Sequence, residues 1–176
     1  MKNKFLKILS FIFCLLQSLN VIADELDIKA NQVKLNKDNR IIQAEGNVQI
    51  TDIKKNIIFA EKAEYDKNNE LMRSFGETDI ITSEKFRIQG KNIFYDNKKG
   101  IIYSTSETII TDINGNQVYV NMFDYSTSKK MFFSQGNIEV FDNKTNKYSF
   151  SEIYIDEKNR KIVGSDVKSF LKDGNL

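Results

Sequence analysis

Ala63-Glu64-Tyr65-Asp66-Lys67-Asn68-Asn69 decides the fold, because related stretches recur along the chain at a constant spacing of 30 residues. The other copies lie at 33–39, 93–99, 123–129 and 153–159. A second motif keeps the same step, at Gly46-Asn47-Val48, Gly76-Glu77-Thr78, Ser106-Glu107-Thr108 and Gly136-Asn137-Ile138. Repetition in phase, without insertion or deletion, predicts a stack of similar structural units.

Each repeat has the composition of two strands and two turns. Clusters of Asn, Asp and Lys, as at 66–69 and 96–99, are typical of tight turns. Between them, β-branched and aromatic residues alternate with polar ones, as in a half-buried strand. Lys54-Lys55-Asn56 and Asn114-Gly115-Asn116 close the other end of their hairpins, and Asn-Gly favours a hairpin turn. The sequence therefore predicts an all-β antiparallel meander of about ten strands in five 30-residue hairpins.

Aligning the repeats shows that one face of the sheet is apolar along the whole stack. Its columns are Ile42, Met72, Ile102, Phe132 and Ile162; Ile50, Ile80, Ile110 and Val140; Ile28, Ile58, Ile88, Val118 and Tyr148; and Leu35, Tyr65, Tyr95, Tyr125 and Ile155. Neighbouring positions such as Gln49, Asp79 and Glu139 are polar and are expected to meet water. Gly46, Gly76, Ser106 and Gly136 are where long strands could bend and turn the apolar face inwards.

Two structures of that interior fit the pattern. One is a filled sandwich core, and the other is an incompletely filled groove that takes an apolar ligand along its length. Small residues in mid-strand leave space for the second: Ala44, Ala60, Ser74, Gly90, Ser104, Ser134 and Gly164. With strands about 4.8 Å apart, ten of them give a stack on the order of 45–50 Å long.

The first 23 residues are typical of an export signal peptide. Lys2, Lys4 and Lys7 precede an apolar stretch that includes Cys14, and Val21-Ile22-Ala23 resembles a cleavage site. The alternative is a membrane anchor, but the apolar run is shorter than the roughly 20 residues that a spanning helix needs. We therefore predict a signal peptide at 1–23 and one β domain at 24–176.

Composition excludes several classes of function. Removing three lysines from a net charge of +2 leaves the predicted mature chain at −1, with no cysteine and no histidine. Such a chain lacks the basic footprint of a nucleic-acid binder, a disulfide framework, a Ser-His-Asp triad and an ordinary zinc site. Asp66, Glu107 and Glu139 could pair across strands, but most such carboxylates fall in turns or on the polar face, where solvated charge is the ordinary explanation, and the sequence offers no partner base. We expect a protein that is not an enzyme and uses no cofactor or metal.

The signal peptide followed by in-phase hairpins, with Ala63–Asn68 and the Ile42–Ile50 pattern apolar-x-Ala-x-Gly-Asn-Val-x-Ile, resembles the OstA-like family of lipopolysaccharide transport. That family comprises the periplasmic proteins LptA and LptC and the N-terminal domain of LptD. The resemblance implies a twisted, V-shaped β-jellyroll whose apolar groove carries lipid A acyl chains and whose members join end to end through edge strands.

On this resemblance, lipopolysaccharide and other Lpt jellyroll proteins are the expected partners. Twelve residues are candidates for lining the groove, and each is equally a candidate for a plain core: Ile42, Ile50, Ile58, Met72, Ile80, Ile88, Ile102, Ile110, Val118, Phe132, Ile138 and Val140. The family implies no catalytic residue. The alternative function is an exported structural β-repeat, such as an adhesin stalk, with no lipid ligand.

The C-terminal segment bears on which family member the chain resembles. A strand at 161–171 runs into the turn Lys172-Asp173-Gly174-Asn175, and no further strand follows. We expect a chain truncated at its C-terminus, which favours the LptD N-terminal domain over an LptA-like protein. Its location would be the periplasm, or the periplasmic face of the outer membrane for an LptD domain.

Overall fold

A computed structural model describes residues 21–23, 26–38 and 40–170. Most of the predicted signal peptide, at 1–20, lies outside the described residues, as does the predicted turn at 172–175. Within the described ranges the regular structure is all β. The predicted all-β antiparallel class is therefore confirmed.

The described part of the chain forms sixteen strands, whose bounds follow the repeat. They are β1 (Val21–Ala23), β2 (Leu26–Lys29), β3 (Gln32–Asn36), β4 (Ile41–Asp52), β5 (Ile57–Asp66), β6 (Leu71–Ile81), β7 (Arg87–Lys91), β8 (Phe94–Asp96), β9 (Ile101–Ser104), β10 (Thr108–Thr111), β11 (Gln117–Val120), β12 (Phe123–Ser126), β13 (Met131–Phe141), β14 (Lys147–Asp156), β15 (Lys161–Ser165) and β16 (Lys168–Phe170). The prediction of about ten strands counted long ones. The structure divides five of these ten strands in two, and β1 is an additional short strand.

Strand pairing shows how the sheet is folded over. All sixteen strands belong to one antiparallel sheet. An upper half runs in the order β1, β2, β4, β5, β6, β7, β10, β11, β13, β14, β16, and a lower half in the order β3, β4, β5, β6, β8, β9, β12, β13, β14, β15. Five strands pass through both halves: β4, β5, β6, β13 and β14. Each of the other strands belongs to one half only.

A line of bends separates the two halves. The pairing register shifts between Glu45 and Val48 in β4 and between Gln135 and Ile138 in β13. Three glycines on this line have positive φ, Gly46 at 76°, Gly76 at 75° and Gly136 at 109°. Glycine adopts this backbone without steric cost because it has no Cβ. The bends predicted at these three glycines are confirmed.

Small residues beside the bends have a role that differs from the predicted one. Ser74, Ser104 and Ser134 are fully buried, and their hydroxyls donate to the carbonyls of Ile93, Lys91 and Met122, at 3.2, 3.1 and 2.7 Å. The carbonyl of Ile93 also accepts from the backbone N–H of Ser74 at 2.8 Å, and buried carbonyls need such donors because leaving one unpaired is costly. The serines therefore satisfy the bent backbone instead of leaving space for a ligand. At Gly164, likewise, an added Cβ would lie 2.3 Å from the ring of Phe150.

The hairpin tips repeat their geometry at the 30-residue step. At the upper tips, residues 52, 82, 112 and 142 donate a backbone hydrogen bond to residues 56, 86, 116 and 146. Positive φ recurs at Lys55, Lys85, Gly115 and Thr145 in the same tips. The lower tips have positive φ at Arg40, Glu70, Gly100, Lys130 and Arg160. The turns predicted from Asn, Asp, Lys and Gly lie where the sequence placed them.

The apolar columns form one core between the two halves. Most members of the four columns are at most 6% exposed. Three predicted members are not fully covered: Leu35 is 53% exposed, Ile162 is 47% exposed and Tyr148 is half-buried. Leu35 lies in β3 at one end of the stack, and Tyr148 and Ile162 lie in β14 and β15 at the other end. Among the described residues, no further repeat covers these ends.

Candidate functional site

The twelve candidate lining residues lie in one cluster. Their exposed fractions run from 0% for Met72, Ile80, Ile88, Ile102 and Ile138 to 6% for Val140. They come from both halves of the sheet and pack against one another, and they are as fully buried as the residues of an ordinary protein core. The space between the halves is thus occupied by these side chains over most of the stack, and whether they also contact lipid remains a prediction.

Opposite the bends, polar side chains join the upper tips to the lower ones. The ammonium of Lys54 donates to the hydroxyl of Thr127 at 2.7 Å, and the hydroxyl of Tyr95 donates to Asp52 at 3.1 Å. These contacts cross from one half of the sheet to the other. We call this line of tip-to-tip contacts the seam.

The second part of the seam is centred on Glu157. One carboxylate oxygen accepts from Tyr125 at 2.6 Å, and the other accepts from Thr82 at 3.0 Å. Lys130 and Glu84 form an ion pair across the seam. The seam is therefore made of side-chain contacts, whereas continuous backbone joins the halves at the bends.

Burial dominates the electrostatics of Glu157. The residue is 2% exposed, and this desolvation raises its pKa to about 7. Hydrogen bonds from Tyr125 and Thr82 favour the ionised form and partly offset the rise, and the charge of Glu84 adds to it. Burial also raises the pKa of Tyr125, so this hydroxyl keeps its proton and remains a donor.

The seam is staggered, and the stagger leaves one end of the interior uncovered. Lys54 of the first upper tip contacts Thr127 of the fourth lower tip, and Thr82 of the second upper tip contacts Glu157 of the fifth. Continuing this offset, the upper tips at 112–116 and 142–146 have no facing lower tip among the described residues. A gap therefore remains between the halves at the C-terminal end.

Two adjoining cavities occupy that gap, and together we call them the C-terminal hollow. The inner cavity, of about 180 Å³, has a floor of Phe86, Ile110, Val118 and Ile155. The outer cavity, of about 560 Å³, is lined mainly by Val140, Tyr148, Phe150, Val163 and Val167. Asn116 and Ile162 line both cavities, so the hollow is continuous. Here the apolar interior reaches solvent.

The arrangement offers apolar binding surface. Of the carboxylates considered for catalysis, Asp66 is held by its own turn through Asn68 and Asn69, and Glu139 pairs with Lys147. Glu107 is exposed on the polar side of a bend. Within the described ranges, no three acidic, Cys or His side chains come together as metal ligands. Over the same residues, no helix has the length and hydropathy to cross a bilayer.

Sequence reasoning missed three residues of the site. Glu157 lies in the turn cluster Asp156-Glu157-Lys158-Asn159, where solvated charge is the ordinary expectation. Asp52 is 6% exposed although it is a charged residue at the end of β4, next to a polar turn. Arg160 lies at the rim of the inner cavity. One signal was present: Glu157 and Thr127 share a turn column with Lys37, Lys67 and Asn97, and Thr127 is the least polar member of that column.

The fold and the hollow define the class of protein: an all-β chain with one antiparallel sheet folded over an apolar interior that is open at one end. No protein-family model matches this sequence, and no curated protein sequence matches it. Among solved structures, it is similar to LptH from Pseudomonas aeruginosa, described as the LptA-homologous periplasmic component of the lipopolysaccharide transport device. The identity is 11%, over 84% of this chain and 94% of that chain, with a TM-score of 0.33.

Proposed function

We propose that this protein is a non-catalytic periplasmic carrier of lipopolysaccharide, which holds lipid acyl chains against its apolar interior on their way to the outer membrane. The observation that carries the proposal is the C-terminal hollow, where the described residues leave uncovered one end of an apolar layer that extends through the stack. Monomeric proteins rarely leave such a surface open without a ligand or partner. The in-phase OstA-like motifs supply the lipid class.

Removing acyl chains from water supplies the driving force. Each buried CH₂ contributes about 0.8 kcal/mol, so a carrier needs apolar surface and no chemistry. The hollow offers this surface as it stands. Further along the stack, Ile80 and Met72 are fully covered by their neighbours. Loading there requires the two halves to part at the seam, with acyl chains replacing the contacts that the core side chains lose.

The open sheet edges suit end-to-end assembly. Strand β15 pairs only with β14, and β3 pairs only with β4, so the described strands leave a free edge at each end of the lower half. Free edges bind further strands by β-augmentation. Cleavage after Ala23 would also remove β1 and free the edge of β2. We propose other Lpt jellyroll proteins as the partners. The chain itself would be either an LptA-like protein or an LptD N-terminal domain.

In-cell photo-crosslinking tests the proposal. A photoreactive residue replaces Ile80, Ile110 or Val140 in the interior, or Tyr148 in the hollow. Gln89 and Tyr119, whose side chains face outward on the upper half, are the matched controls. We expect adducts with lipopolysaccharide from Tyr148 and Val140, and from Ile80 when the two halves part, and none from the outward positions. Absence of adducts from every interior position, with normal adducts from a known lipid carrier, would refute the proposal.

The second candidate function is an exported structural β-repeat without a lipid ligand. The specific observation in its favour is the completeness of the core, since Met72, Ile80 and Ile88 are 0% exposed. A structural stalk needs only such a core and its stacking. The same crosslinking experiment separates the two functions, because a stalk yields no lipid adduct from any position.

A further inference from the structure

We infer that the inner cavity of the C-terminal hollow selects anionic amphiphiles, with an alkyl chain on its apolar floor and the negatively charged group held by Arg160 at its rim. This inference rests on the proposed function and deepens it, because it assigns the charge of the ligand and the residue that recognises it.

The floor of the cavity is built to take an apolar chain. Ile110, Ile155 and Val118 are at most 4% exposed and belong to the core, and Phe86 lies beside them. Ile162, on the wall shared with the outer cavity, is 47% exposed. An alkyl chain can therefore lie on the floor and continue past Ile162 into the outer cavity. Covering Ile162 adds to the apolar area that binding removes from water.

Arg160 supplies a free positive charge at the rim. Its backbone has φ of 52° at the end of the fifth lower tip, and its side chain lines the inner cavity. Across the described residues, no carboxylate pairs with this guanidinium. Lys158 and Lys161 are exposed on either side of it. A guanidinium presents a planar set of donors that matches carboxylate and phosphate groups.

The carboxylates near the rim keep their charge, but hydrogen bonds within their own turns occupy their oxygens, and none of them pairs with Arg160 among the described residues. Both oxygens of Asp112, which lines the same cavity, accept hydrogen bonds from Asn116, at 2.9 and 2.7 Å. Asp156 is held in the same way by Asn159. Glu157 faces the seam and is buried. Arg160 therefore keeps its donors open to an anionic group, whereas the oxygens of Asp112 and Asp156 are occupied, which favours a negatively charged amphiphile over an uncharged or cationic one.

Titration of the full mature chain with matched amphiphiles tests the inference. Dodecyl phosphate and dodecyl maltoside share the alkyl chain and differ in charge; their Kd values are measured by calorimetry below micelle formation. We expect Arg160→Gln to raise the Kd for dodecyl phosphate about fivefold, which is the effect of losing one exposed ion pair. The Kd for dodecyl maltoside should not change. Lys158→Gln, on the same tip but outside the cavity lining, is the matched control and should change neither Kd by more than about twofold.

A second variant separates failure of this inference from failure of the proposed function. Ile162→Glu places a charge on the apolar wall at a half-exposed position, and we expect it to weaken both amphiphiles. If Ile162→Glu weakens both while Arg160→Gln changes neither, the hollow binds lipid and the role of Arg160 is refuted. If the wild type binds neither amphiphile, the inference is overturned, and the in-cell crosslinks then decide the proposed function separately. A concentration-dependent dimer that Ile162→Glu dissolves would show a second copy in the hollow and would also overturn it.

Discussion

At the scale of single residues, Glu157 is the group whose environment departs most from its sequence context. Lys158 beside it is an exposed turn residue, and Asp156 is a half-buried residue at the end of β14, yet the side chain of Glu157 points inwards to the seam. A carboxyl in this position needs donors, and Tyr125 and Thr82 provide them. Alternation along a strand does not predict this, because the direction of a turn side chain depends on contacts with distant residues.

The raised pKa of Glu157 makes stability depend on pH. The folded protein binds this proton up to about pH 7, whereas an unperturbed glutamate titrates near 4.5. The folded state therefore binds more protons between these values, and the free energy of unfolding falls as pH rises through this window. We expect the wild type to lose on the order of 2 kcal/mol relative to Glu157→Gln between pH 5 and pH 8.

Urea denaturation of both proteins at a series of pH values measures this difference. Lowered pKa values at Asp66, Asp96, Asp142 and Asp156 produce the opposite slope, but below about pH 4. They are common to both proteins and cancel in the comparison. Parallel stability profiles for wild type and variant would contradict the buried position of Glu157.

Tyr125→Phe removes a donor from the seam without changing its packing. The variant leaves one oxygen of buried Glu157 without the bond from Tyr125, so we expect a loss of about 1–3 kcal/mol in the free energy of unfolding. Tyr119→Phe is the matched control, since its hydroxyl bonds only Gln117 on the exposed face, and its effect should stay within about 0.5 kcal/mol. Equal effects of the two variants in thermal denaturation would show that the seam bond contributes nothing.

At the scale of elements, the bends divide the strands, and the sequence shows only some of them. Gly46, Gly76 and Gly136 could be read as bends because glycine in mid-strand favours one. Asn92 and Asp166 reach the same backbone, with φ of 50° and 51°, and carried no such signal. Asn and Asp tolerate the left-handed region better than other residues with a Cβ. The serine bonds that complete the bends could not be predicted, because they join different strands.

Gly76 tests whether backbone conformation alone demands glycine at a bend. No atom lies within 4 Å of an added Cβ, and φ is +75°, so only backbone strain opposes a side chain. We expect Gly76→Ala to lower the free energy of unfolding by about 1–2 kcal/mol. Gly76→Asn should lose less, because Asn visits this region readily. Chemical denaturation measures both, and a larger loss for Asn than for Ala would point to a clash instead.

At the scale of the whole molecule, the stagger of the two halves was not predictable from the repeat. The first column correctly predicted that Ile42, Met72 and Phe132 are buried. It predicted the same for Ile162, which is half exposed. Its position depends on how far the twisted halves slide past each other, and that offset depends on accumulated strand twist. In-phase repeats thus determine which face is apolar. Which end of that face stays open is determined by tertiary geometry.

Locking the seam tests how the covered part of the interior could be loaded. The variant Lys54→Cys/Thr127→Cys places one thiol on each side of the seam, and the predicted mature chain has no other cysteine. Joining the two thiols with a bis-maleimide of about the reach of a lysine side chain holds the halves together. Because the core at Ile80 is fully covered, lipid can reach it only if the halves part. We expect lipopolysaccharide adducts from a photoreactive residue at position 80 to disappear on crosslinking, while those from position 148 in the hollow persist.

The matched control places the same crosslink where it joins strands that are already paired. Gln43 and Glu64 are opposite each other in β4 and β5, on the outward side of the lower half, with their side chains 2.8 Å apart. The double variant Gln43→Cys/Glu64→Cys therefore reacts with the same bis-maleimide without crosslinking one half of the sheet to the other. We expect lipopolysaccharide adducts at position 80 to be unchanged. Seam-locked protein that still forms these adducts would show that lipid does not enter by parting of the halves. If adducts are lost when the seam is crosslinked and kept when β4 and β5 are crosslinked, lipid enters where the polar side chains of the seam separate. The seam is then the part of the carrier that opens, while the bends and the strand pairing stay intact.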